Sequence, residues 1–76
     1  MNTILAILIG FYAGMACHEE GNLSDGARDK MQRVIVEQGL DKFPNIHNMA
    51  RTVVAKKGSP PAEVCKNLEA AYGERT

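Results

Sequence analysis

The strongest constraint on this chain lies near its start, where ILAILIGFYAGMAC runs from Ile4 to Cys17 without a charged residue. As a helix this stretch is apolar on every side, and such a helix must be buried on every side. The chain has 76 residues, a size at which one core supplies only about 3–5 kcal/mol. The helices downstream offer narrow apolar faces, so the sequence predicts that something outside the single polypeptide shields the rod.

Lipid is one candidate cover. Thr3 to Cys17 would form a helix about 22 Å long at about 1.5 Å per residue, against a bilayer core of about 30 Å that wants about 20 residues. His18, Glu19 and Glu20 follow at once, where an interfacial anchor would show Trp, Lys or Arg. A secretory leader wants a positive start, and Met1-Asn2-Thr3 provides no basic side chain. Gly14-Met15-Ala16-Cys17 places small residues before a cysteine, as lipidated leaders do, but lacks the leucine such sites carry.

Further copies of the chain are the preferred cover. Ala6, Gly10 and Gly14 recur every four positions and make a flat strip with Leu8 and Phe11 beside it, and Gly10 to Gly14 is a GxxxG. This spacing lets helices approach closely. Ala6, Gly10, Phe11 and Gly14 are therefore the expected oligomerisation residues. The alternative is a single-pass anchor, with Arg28, Lys30 and Arg33 holding the remainder on the cytoplasmic side. The expected location is cytoplasmic, or anchored in the inner membrane on the alternative reading.

The rest reads as three short amphipathic helices. Ser24-Asp25 supplies a capping hydroxyl and an acid, and Gly39 a stop, which predicts a helix over Asp25–Gln38 with Ala27, Met31, Val34, Ile35 and Gln38 on one face. Phe43-Pro44 interrupts. A helix over Asn45–Lys57 follows, with Ile46, Met49, Ala50, Val53 and Val54 at helical spacing. Ser59-Pro60-Pro61 is expected to open the last helix, with Val64, Leu68, Ala71 and Tyr72 inward until Gly73. The fold class is all-α, an oligomeric helical bundle: an apolar N-terminal helix in residues 1–18 and a small three-helix domain in residues 19–76.

Nine basic and nine acidic residues balance, so no overall charge draws the chain to nucleic acid. Four aromatic residues and no Trp give no stacking platform for single strands, and nucleic acid is not an expected partner. Cys17 and Cys65 form no CxxC motif. They are expected as buried or free thiols, a disulfide requiring an oxidising compartment. No nucleophile stands in a recognisable setting with a base and an orienting acid, so no enzyme, no catalytic residue and no cofactor is expected. Cys17-His18-Glu19-Glu20 contains metal-ligand types, but sequence neighbours do not share a helix face. His18, His47 and Cys65 would make a zinc site only if the fold gathered them, and no metal is expected.

Charge is distributed unevenly. From Lys42 to Gly58 the chain holds Lys42, Arg51, Lys56 and Lys57 and no acid. His47, Arg51, Thr52, Lys56 and Lys57 form a basic stripe on the third helix. A solvated face is the ordinary meaning of such charge, but Arg as a planar fork and Lys as a point charge suit an anion. Tyr12 is a lone hydroxyl in an apolar setting and needs a partner, either a backbone carbonyl or a ligand. Tyr12, His47, Arg51, Thr52, Lys56 and Lys57 are thus the candidate ligand-binding residues. In size and plan the chain resembles the small helical accessory proteins that bacterial viruses encode, on general appearance and no motif. The reading is a non-enzymatic homo-oligomer that sequesters or inhibits a partner, either a host protein or a small anionic ligand such as a nucleotide. Its rival is a membrane-anchored protein whose helical head docks on a larger complex.

Overall fold

A computed structural model describes residues 3–73, as four α-helices joined by short turns: α1 (Thr3–Glu19), α2 (Asp25–Glu37), α3 (Pro44–Lys57) and α4 (Ala62–Tyr72). A single 3₁₀ turn, Leu40–Lys42, leads from α2 toward α3. No strand occurs among the described residues.

Local chemistry explains the boundaries. Ser24 caps α2, its Oγ accepting from the Ala27 N–H at 3.2 Å. The Asn22 N–H donates to the Cys17 carbonyl at 2.8 Å and the Gly21 N–H to that of His18 at 3.0 Å. That pair of bonds is a Schellman stop for α1, and Gly21 supplies the positive φ of 78° that it needs. At the last helix the expectation is corrected. Ser59 does not cap it, because α4 begins at Ala62 behind Pro61, which sits at the cap position and whose carbonyl receives the Val64 N–H at 3.0 Å.

α1 is the central rod. It packs mainly along α3 and also touches α2 and α4, while α2 rests on α4. Two clusters build the core: Cys17, Leu23, Ala27, Met31 and Cys65 at one end, and Leu8, Ile35, Leu40 and Ala50 at the other. Phe11 packs against both.

Within one chain the apolar helix is covered in part. Leu8, Gly14 and Cys17 are buried, and Ile4, Leu5, Ile9, Phe11 and Tyr12 are half-buried. The three amphipathic faces cover one side of the rod and leave Ala6 and Ile7 open. Gly14 does not remain on a free strip: a Cβ there would lie 2.5 Å from Met31 Cε and 2.9 Å from Sδ, so its small size serves the approach of α2. Ala6 and Ile7 stay exposed, Ile7 at 44 %.

Two inner faces also differ from the periodicity. Met49 is 54 % exposed, since α3 turns Ala50 rather than Met49 into the core. In α4 the buried position is Cys65, with Val64, Leu68 and Tyr72 half-buried and Ala71 exposed. The cause is the Cys17–Cys65 disulfide, which corrects the expectation of unpaired thiols. It joins the last turn of α1 to the first turn of α4, with Cα atoms 5.6 Å apart, and sets the rotation of α4. No helix of the described residues is long and apolar enough to cross a membrane.

Candidate functional site: the α1–α3 face

Two of the candidate residues converge on Tyr12. Its hydroxyl lies 2.6 Å from His47 Nδ1, and His47 Nε2 lies 2.7 Å from the Leu40 carbonyl oxygen. A carbonyl only accepts, so Nε2 carries the proton. In the neutral ring Nδ1 is then the acceptor, and Tyr12 donates to it. The 3₁₀ turn holding Leu40 therefore fixes the imidazole, and the imidazole fixes the tyrosine. The partner of the Tyr12 hydroxyl is thus a side chain, neither the backbone carbonyl nor the ligand expected.

Arg51 lies one turn beyond His47, its guanidinium carbon 5.4 Å from the Tyr12 ring centroid. Phe11 meets the same ring edge-on, with centroids 5.1 Å apart. Stacking of this kind on an exposed arginine contributes about 0.5–1 kcal/mol and restricts where the guanidinium points. Its N–H donors receive no carboxylate among the described residues.

The remaining basic-stripe residues do not join this cluster. Thr52 turns its hydroxyl back to the Asn48 carbonyl at 2.8 Å, an ordinary helix contact that uses its one donor. Lys56 is exposed with no ion-pair partner among the described residues. Lys57 faces the other side of α3, toward a groove shared with α1 and α4.

The oligomerisation candidates also divide. Gly14 is buried within the chain and Phe11 packs into both core clusters, whereas Ala6 is exposed and Gly10 half-buried, with no atom within 4 Å of where a Cβ would stand.

The opposite end of the molecule is braced around the disulfide. His18 Nε2 sits 2.6 Å from Asp25 Oδ1. The Ser24 N–H donates to Glu69 Oε1 at 2.7 Å and its hydroxyl to Oε2 at 2.8 Å. Both acids stand at the positive end of α2, where negative charge is favoured. The hydrogen bond from His18, then its charge, holds the Asp25 carboxyl below the ordinary aspartate range. His18, His47 and Cys65, the only zinc set the sequence suggested, are each committed elsewhere. Among the described residues no three His, Cys, Asp or Glu side chains gather into a metal site. Cys17 and Cys65, joined in the bridge, carry no free thiolate for nucleophilic attack.

The local bracing by Tyr12 and His47 was not legible in the sequence, because it depends on a contact 35 positions apart. The lone hydroxyl in an apolar run was the signal that a partner had to exist. No protein family, curated protein or solved structure matches this chain significantly.

Proposed function

We propose that this chain is a non-enzymatic, disulfide-braced binding protein that takes a small anionic ligand, or an acidic protein surface, at Arg51 on the α1–α3 face. One observation carries the reading. Arg51, Lys56 and Lys57 share a helix without an acid, and no carboxylate pairs with them among the described residues, although the whole chain is neutral. Arg51 stacks on a tyrosine that is itself fixed by His47, so part of its entropy is lost before any ligand arrives, and a guanidinium of restricted direction binds more tightly for that reason.

Self-association through what remains uncovered of α1, at Ala6, Ile7 and Gly10, is retained as part of this reading. Sequestration of the partner, as in an accessory protein of viral type, is its most direct consequence. The Cys17–Cys65 bridge favours an oxidising compartment, because such bonds persist there and not in the reducing cytosol. On this point the reading departs from the cytoplasmic location expected from sequence.

Isothermal titration of the oxidised protein with ATP and with a glutamate-rich peptide tests the claim. Binding by one of them, weakened at least tenfold in Arg51→Glu with the helical spectrum unchanged, supports it. Absence of binding to both, or equal affinity in the variant, overturns it.

A further inference from the structure

We propose that the groove between α1, the C-terminal end of α3 and the start of α4 is a binding site for a single-chain alkyl carboxylate, its tail in the groove and its head at Lys57. The groove encloses about 590 Å³, within the range of small-molecule sites, which are apolar clefts with a few orienting polar groups. Ile9 and Gly10 of α1, Val54 of α3, and Pro60, Pro61 and Val64 line it. Gly10 leaves the floor open because it has no side chain. Gly58 turns the chain back with φ 76° and ψ −154°, a region essentially restricted to glycine, and so brings the two prolines round as a rigid wall.

The chemistry of the lining selects the ligand. No aromatic ring and no amide side chain faces the groove, so a nucleobase would find nothing to stack on and little to pair with. An alkyl chain asks only for apolar surface. Lys57 is the one charged lining residue and no acid lines the groove, which sets the head as an anion; the Ser59 hydroxyl beside it can donate one hydrogen bond. Lys56 adds a second positive charge next in sequence. A carboxylate on an unbranched chain meets each of these conditions.

This inference rests on the anionic reading above only for the sign of the ligand, and separate substitutions test the two. Displacement of a groove-bound fluorescent dye from the full-length oxidised protein would be measured below the micelle concentration, with octanoate, decanoate, dodecanoate and dodecyltrimethylammonium. Affinity is expected to rise about fourfold per added methylene, and dodecanoate to bind better than the cationic amphiphile. Lys57→Glu, at an exposed position that does not disturb the core, should reverse that preference, while Arg51→Glu should leave it unchanged. A flat response to chain length, a preference unaltered in Lys57→Glu, or a reversal in Arg51→Glu instead would overturn the proposal. So would affinity that falls as protein concentration rises, since a second copy would then be the true occupant.

Discussion

Opening the Cys17–Cys65 bridge should come close to unfolding the protein. The bonded residues are 48 positions apart. In the chain-entropy description, closing a loop of that length removes enough freedom from the unfolded ensemble to stabilise the fold by about 4 kcal/mol. A core of this size supplies about 3–5 kcal/mol in total, so the two quantities are comparable. At about 4–8 °C per kcal/mol for a domain of this length, the melting temperature should fall by roughly 16–32 °C. Reduction is a cleaner perturbation than substitution, because both cysteines are buried and alanine or serine would add a cavity or an unpaired hydroxyl. The bridge would be reduced in denaturant, the protein returned to buffer under reductant, and helicity followed at 222 nm against temperature and urea. The oxidised and reduced forms would be compared at one concentration. A melting temperature lowered by less than about 5 °C, equivalent to about 1 kcal/mol, would refute the reasoning and move the main support of the fold into the core clusters.

Tyr12→Phe removes the donor to His47 Nδ1 and should destabilise by about 1 kcal/mol in urea denaturation, with anion affinity reduced because Arg51 loses a fixed platform. Asp25 has a folded-state pKa below its ordinary value, so its contribution is fully present above about pH 4 and disappears as pH falls through the depressed value. Asp25→Asn should therefore melt lower than the native protein near neutral pH, with the difference closing toward pH 2; a gap that stays constant with pH would contradict the assignment. Gly10→Ala adds a methyl where one copy has open space and should raise stability by up to about 1 kcal/mol in dilute solution. If copies meet on that strip, the same substitution weakens association measured by sedimentation at high concentration, and unaltered association would remove Gly10 from the interface.

Local signals in the sequence placed the helices well, because caps, prolines and glycine stops act over a few residues. Ser24 and the Phe43-Pro44 break are read from their own chemistry, and the apolar face of α2 lies inward at Ala27, Met31 and Ile35. Long-range choices were less legible. Nothing in a spacing of 48 residues says whether two cysteines meet, and once they do, the bridge rather than periodicity decides which side of α4 turns in. The small-residue strip was read as a surface for other copies, but Gly14 faces Met31 of the same chain, a contact between distant positions that spacing alone does not mark. For the candidate site, the basic stripe and the solitary Tyr12 were visible as residue types. Their meeting through His47 required the 3₁₀ turn at Leu40, which periodicity does not mark.

The claim on which the rest depends is that an anion binds at Arg51 on the α1–α3 face. Backbone amide NMR of the oxidised, isotope-labelled chain, titrated with ATP, a glutamate-rich peptide and dodecanoate, tests it residue by residue. The account predicts saturable shifts concentrated around His47 and Arg51 for ATP or the peptide, and around Val54 to Val64 for dodecanoate. Shifts confined to α2 and the disulfide end, or spectra unchanged by all three, would contradict it.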